Sequence, residues 1–204
     1  MPADRPIAFP STIFEKTARW FERAGSALLG QLPCRPGCHR CCIGSFPVTL
    51  LDREEIQRGL RTLPARQRLR ICETAAAQTQ QIEQHFPQLT RNKFLDHRPD
   101  DEIDRIVEQC GTLPCPALET DGTCGLYAYR PLTCRSMGIP TEDAGVVQGA
   151  CDIQTSIPLI RLSPALRHEE DQLAKEEAVQ LNRLCRQLGA AGEELLLPYA
   201  FLQE

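Results

Sequence analysis

Cysteine constrains this chain most, because eleven cysteines occur among its 204 residues and most of them fall in two clusters. Disulfides persist in oxidising compartments, whereas cysteines in a reducing compartment point to metal binding or redox chemistry. An odd number of cysteines also leaves one thiol unpaired in any scheme that uses disulfides alone. The cellular compartment therefore decides how these cysteines are interpreted.

The first 32 residues predict a cytoplasmic protein. Charged side chains interrupt every apolar stretch there, so no hydrophobic region of the length found in signal peptides is present. No segment approaches the roughly 18 consecutive apolar residues that span a bilayer. A net charge of −4 argues against nucleic acids and anionic membranes as partners. We therefore expect reduced thiols and favour metal binding over disulfides.

Helical patterns dominate outside the cysteine clusters and predict a mainly α fold, with 1–204 as a single domain. Capping residues or a first-turn proline predict helices that begin near Thr12, Asp52, Pro64 and Ser163, and a shorter helix is expected from Asp100 to Cys110, before Gly111. The predicted core stripe of the third helix includes Leu69, Cys72, Ala76 and Ile82, and that of the last includes Leu181 and Leu188. Helices at 11–30 and 163–188 are expected to flank a metal-binding region at 34–151.

Two loop-rich segments carry eight of the cysteines. The first contains Cys34, Cys38, Cys41 and Cys42 among prolines and glycines, and the second contains Cys115, Cys124, Cys134 and Cys151. An Asp121-Gly122 pair between short apolar stretches predicts a small β-hairpin in the second segment. We expect the helices to pack around these two segments, with bound metal stabilising the fold.

The spacing of these cysteines is typical of metal ligands. Thiolates two to four residues apart, such as Cys38 and Cys41, converge on one metal across a tight turn. The adjacent pair Cys41 and Cys42 does not easily occupy two corners of one tetrahedron, which favours two neighbouring metals or a polynuclear cluster. The eight thiols would supply two four-thiolate sites or a metal–sulfur cluster, and zinc, iron and copper(I) all suit such ligands.

Charged neighbours support this grouping, whereas the other cysteines have a simpler interpretation. Four arginines lie beside these cysteines in the sequence: Arg35, Arg40, Arg130 and Arg135. Their guanidinium groups would neutralise the negative charge of the thiolates and donate hydrogen bonds to sulfur. Cys72 and Cys185 fall on helical stripes and are expected to pack as small hydrophobic residues. Core packing is also favoured for Cys110, although Cys110 and His39 stay open as further ligands. The chain has no glycine-rich phosphate loop, dinucleotide fingerprint or HExxH motif.

Taken together, the cysteine motifs resemble those of the bacterial YkgJ-like, or CxxCxxCC, cysteine-cluster family. The motifs are Cys38-x-x-Cys41-Cys42 after Cys34, then Cys115-Pro, Cys124-x-x-Tyr127 and Arg130-Pro131…Cys134-Arg135. This resemblance covers roughly Cys34 to Cys151, with Cys151 placed as the eighth cysteine by order alone. It implies a zinc- or iron-chelating domain.

Flagellin lysine N-methylases look like relatives with a similar cluster. That similarity implies methyl transfer from S-adenosylmethionine in some members, yet no glycine-rich methyltransferase loop occurs here. Cys34, Cys38 and Cys41 also have the spacing of radical S-adenosylmethionine enzymes, but the helical pattern predicts no α/β barrel. Our leading hypothesis is a cytoplasmic metal-binding protein that holds zinc or an iron–sulfur centre. A protein-modifying enzyme and a thiol redox sensor are the alternatives, so enzymatic activity stays open.

Overall fold

A computed structural model describes residues 12–28, 32, 38–149 and 161–203. This part of the chain is mainly helical and contains eight α-helices, which confirms the predicted class. The helices are α1 (Ile13–Ala27), α2 (Leu50–Thr62), α3 (Ala65–His85), α4 (Gln88–Arg91), α5 (Asp100–Gln109), α6 (Leu132–Ser136), α7 (Pro164–Leu188) and α8 (Leu197–Ala200). The strands are β1 (Pro47–Thr49), β2 (Thr141–Asp143), β3 (Val146–Gln148) and β4 (Glu194–Leu196).

Capping boxes begin the first two helices, but the second box is not the one that the sequence predicted. The predicted box at α1 is present, since the side chain of Thr12 accepts from Glu15 N and the Glu15 carboxylate accepts from Thr12 N. At α2 the cap is Thr49, three residues before the predicted Asp52. Asp52 instead occupies the third helical position and completes the box. The helix begins directly after β1, which the sequence analysis did not predict.

The long helices occur where they were predicted, but parts of their predicted core stripes were wrong. In α3 the buried face carries Ile71, Ala75 and Ile82, whereas Leu69 is 58% exposed. In α7 Leu181 is buried, whereas Leu188 is 53% exposed. Only a narrow stripe of each helix is buried, and residues outside that stripe are exposed to solvent.

Two antiparallel strand pairs complete the fold. β1 pairs with β4, with Val48 opposite Leu195, so the beginning of α2 is fixed to the C-terminal part of the chain. β2 and β3 form the small hairpin, which lies at 141–148. The Asp121-Gly122 pair lies in a turn whose flanks pair antiparallel, with one bridge between Leu118 and Cys124 and a hydrogen bond from Glu119 N to Thr123 O. The hairpin predicted there is therefore present in a minimal form, and the regular hairpin β2–β3 lies further along the same cysteine segment.

The main core lies between α2, α3, β4 and α8. Leu195, Leu196 and Ala200 are fully buried in it, although the sequence analysis predicted no element there. Smaller apolar clusters join α1 to α6 and α7, with Trp20 and Ile139 in one of them. In the described part of the chain, no helix is long and apolar enough to cross a membrane.

Candidate metal centre

Six cysteines line one cavity of about 570 Å³, and all six belong to the predicted ligand set. They are Cys38, Cys41, Cys42, Cys115, Cys124 and Cys134. The other two predicted ligands, Cys34 and Cys151, lie outside the described residues. Both cysteine-rich segments therefore contribute thiols to the same place, although more than seventy residues separate Cys42 from Cys115.

Backbone hydrogen bonds join the two segments. Cys115 N donates to Cys42 O over 2.7 Å, and Gly44 N donates to Leu113 O over 2.8 Å. An antiparallel bridge between Ile43 and Pro114 lies between these two contacts. Cys41 and Cys42 precede this junction in a short 3₁₀ turn, Arg40–Cys42. The contact is made by main-chain groups, so cysteine spacing alone did not predict it.

The loop that carries Cys124 is held against α3. Gly125 N donates to Ala117 O over 2.8 Å, which closes the loop beside the Leu118–Cys124 bridge. The Glu119 carboxylate accepts from Gln67 at 2.8 Å and from Arg70 at 2.6 Å. These contacts fix the position of Cys124 without using its thiol.

Cys134 lies in α6, and a buried carboxylate in α2 anchors the start of that helix. Asp52 Oδ1 accepts from Leu132 N over 2.8 Å, and Oδ2 accepts from Thr49 N over 3.2 Å. Asp52 is only 1% exposed. Burial raises its pKa, while the accepted hydrogen bonds act in the opposite direction. Asp52 thus links the first turns of α2 and α6, a role that the sequence analysis did not identify.

Arg130 and Arg135 differ in what they contact. Arg135 donates to the carbonyl oxygens of Arg130, at 2.9 Å, and Ala128, at 2.6 Å, and it lies 3.6 Å from Glu55. Arg130 lines the cavity and stacks on the ring of Tyr127, with 4.0 Å from its guanidinium carbon to the ring centroid. Of the other two predicted cations, Arg40 is exposed and Arg35 lies outside the described residues.

The thiols have unequal proton affinities. A hydrogen bond between the side chains of Cys41 and Cys42 lowers the pKa of Cys41 to about 6 and raises that of Cys42. Burial raises the pKa of Cys115 to about 12 and also raises those of Cys124 and Cys134. Metal binding to these thiols would therefore release protons.

The donor set fits a thiophilic metal by its chemistry, since it consists of several thiols around one cavity. Within residues 12–28, 32, 38–149 and 161–203, however, no three His, Cys, Asp or Glu side chains are already grouped to hold a metal ion. Coordination by the described thiols alone would require them to move closer together.

Three cysteines pack in the core as predicted. Cys110 is 1% exposed in the main core, and the half-buried Cys72 and Cys185 pack against the same cluster. None of the three lines the cavity. His39, which the sequence analysis left open as a ligand, is exposed and also lies outside the cavity lining.

Apolar residues of the cavity wall were missed by the sequence analysis. Phe21 comes from α1, Phe46 from the segment before β1, and Phe201 from the residue after α8. Phe21 and Phe201 are distant in sequence from the cysteines, and Phe46, although four residues after Cys42, belongs to none of the cysteine motifs. Only the folded chain identifies them as part of the site.

The comparisons with known proteins found no matching family model, no similar curated protein and no similar solved structure.

Proposed function

We propose that this chain is a cytoplasmic metal-binding protein whose cysteine cluster holds zinc or an iron–sulfur centre. The observation that carries the proposal is the lining of one cavity by six thiols from two distant segments. Packing alone gives no reason to collect so many cysteines around a cavity, since buried free cysteines serve as well when dispersed. The resemblance of the motifs to the YkgJ-like family agrees with the proposed function.

The position of Cys41 and Cys42 supports more than one metal, or a polynuclear cluster. Both residues line the cavity although they are adjacent in sequence, so each could reach a different metal within the same space. Thiolate charge would be reduced by the bound metal. We propose Cys34 and Cys151 as the remaining two ligands, on the basis of their place in the motifs.

Anaerobic purification followed by metal analysis and a visible spectrum tests the proposal. A brown protein that contains iron and inorganic sulfide would have an iron–sulfur centre, and a colourless protein with about two zinc ions per chain would have thiolate zinc sites. Protein that contains no stoichiometric metal after anaerobic purification, and takes up none on reconstitution, would overturn the proposal.

A pair of matched variants locates the site. Cys134→Ser should lower the metal content markedly, because it removes a thiol from the cavity. Cys185→Ser removes a half-buried thiol that lies outside the cavity and should keep the wild-type metal content. Equal metal content in the two variants would count against the cavity as the binding site.

A thiol redox sensor is a second candidate, favoured by the two adjacent thiols of Cys41 and Cys42 at the same cavity. Alkylation of metal-loaded protein by iodoacetamide separates the two candidates. Ligand thiols should resist modification, whereas sensor thiols should react rapidly at Cys41 or Cys42. Peptide mass spectrometry identifies the modified residue.

A further inference from the structure

The cavity offers more space than its thiols require for metal. A zinc ion lies about 2.3 Å from each thiolate sulfur, so metal sites are compact. Cavities of roughly 300 to 1,000 Å³ are the usual size of pockets for small organic molecules. At about 570 Å³ the cavity falls in this range. Metal at the thiols would leave room for a second occupant.

Much of the cavity lining is apolar. Phe21, Phe46 and Ile56 line it from one part of the fold, and Leu197 and Phe201 line it from the C-terminal part. Phe21 and Phe46 are partly exposed, whereas Ile56, Leu197 and Phe201 are each no more than 2% exposed and belong to the main core. Such a surface favours an apolar body and disfavours a fully polar molecule.

Arg130 provides one cation at this cavity. Its Nε atom is buried and has no hydrogen-bond partner among the described residues. Its guanidinium stacks on Tyr127, which fixes the plane of the group while leaving N–H donors available at the edge. By contrast, Arg135 uses its donors on two carbonyl oxygens and lies near Glu55. Because the buried Nε is closed to the cavity, a ligand there would have to pair with the terminal N–H groups of this guanidinium.

We propose that the cavity binds a small monocarboxylate with an apolar body, its carboxylate paired with Arg130 and its body packed on the apolar wall. A carboxylate matches the planar fork of one guanidinium and carries one negative charge. A doubly charged phosphate would leave excess negative charge beside the thiols, because one guanidinium neutralises only part of it. This inference goes beyond the proposed metal function, since it assigns an organic ligand to the same cavity.

Calorimetric titration of the purified, metal-analysed protein with octanoate and with octanol tests the inference. The two probes share an apolar chain, but only octanoate can pair with Arg130. We expect one octanoate per chain, bound at least about tenfold more tightly than octanol. Arg130→Met should lower the affinity for octanoate to that for octanol. Arg66→Met, at an exposed position in α3, should change neither affinity.

Arg130→Lys serves as a second variant, because it keeps the positive charge but loses the planar guanidinium. Its affinity for octanoate should lie between those of the wild type and Arg130→Met.

No octanoate binding to wild-type protein would overturn the inference, as would equal affinities for octanoate and octanol. If Arg130→Met lowered the metal content but left the preference for octanoate unchanged, Arg130 would serve the thiols only, and the inference would also fail. Metal content measured on the same samples reports separately on the proposed metal function.

Discussion

Asp52 is the residue on which the position of Cys134 depends most directly. Its two carboxylate oxygens accept from Leu132 N in α6 and Thr49 N at the cap of α2. These contacts cross from one helix start to another inside the protein, so no solvent replaces them when they are lost.

Asp52→Asn should destabilise the protein by about 1 to 3 kcal/mol, because an amide has one acceptor oxygen and leaves one buried N–H without a partner. It should also lower the metal content by displacing the start of α6. Urea unfolding and metal analysis measure the two effects. Asp101→Asn is the matched control at an exposed site in the first turn of α5. Equal behaviour of the two variants would contradict the role assigned to Asp52.

Glu177 makes stability depend on pH. This half-buried residue of α7 lies near Asp52 and Glu194, and burial together with these two carboxylates raises its pKa from 4.5 to about 7. Because the folded protein holds this proton more tightly than the unfolded chain, the contribution of Glu177 to stability is lost as pH rises from 4.5 to 7.

Glu177→Gln should therefore be more stable than wild type above pH 7, by about 1 to 2 kcal/mol after allowance for partial solvent screening. The difference should vanish as pH falls towards 4.5, the ordinary pKa of the group. Urea unfolding at several pH values checks this, with Glu108→Gln at an exposed position as the control. A stability difference that does not vary with pH would show that Glu177 does not titrate in this window.

At the scale of elements, the close packing of α2 against the 3₁₀ turn Tyr127–Tyr129 positions the loop between Cys124 and Cys134. A Cβ atom on Gly59 of α2 would lie 2.6 Å from Tyr129 Cβ and 2.8 Å from Leu126 Cδ2. Such distances are too short for any side chain, so glycine is required here for close approach of the two elements rather than for its backbone freedom.

Gly59→Ala should destabilise the protein by about 1 to 3 kcal/mol, because the added methyl group overpacks this contact. Gly25→Ala in α1 should have the opposite sign and stabilise by up to about 1 kcal/mol, since its nearest neighbour would be 3.8 Å away and alanine favours helix. Thermal melting of the two variants compares them directly. Stabilisation by both substitutions would mean that the turn moves away from α2 at little cost.

At the scale of the whole molecule, the thiol cavity connects parts of the chain that are distant in sequence. Phe21 of α1 and Phe201 near the C-terminus both line it, and Phe201 also belongs to the main core. Metal at the thiols would therefore stabilise more than the cysteine segments themselves.

Removal of metal by a strong chelator should broaden the unfolding transition and lower its midpoint, because metal affinity becomes part of the folding free energy. Circular dichroism melting before and after chelation measures the change, and readdition of the metal should restore the original curve. Identical melting curves for metal-loaded and chelated protein would contradict metal stabilisation of the fold.

Several local features of this protein could be predicted from its sequence. Neighbouring residues determine the Thr12 capping box, the Ser163 cap and the end of α7 at Gly189. The reason is that nearby side chains and backbone conformations provide hydrogen-bond partners for the free backbone groups at helix ends. The spacing of the cysteines likewise separated the six that line the cavity from Cys72, Cys110 and Cys185, which do not line it.

Only the tertiary structure decided which distant residues complete the site. Asp52 and Leu132 are 80 residues apart, and no spacing rule relates them. Packing between distant segments likewise produces the apolar lining of the cavity and the burial of Arg130 Nε. The reason is physical: caps and chelating turns depend on local backbone geometry, whereas burial depends on which surfaces meet when the whole chain folds.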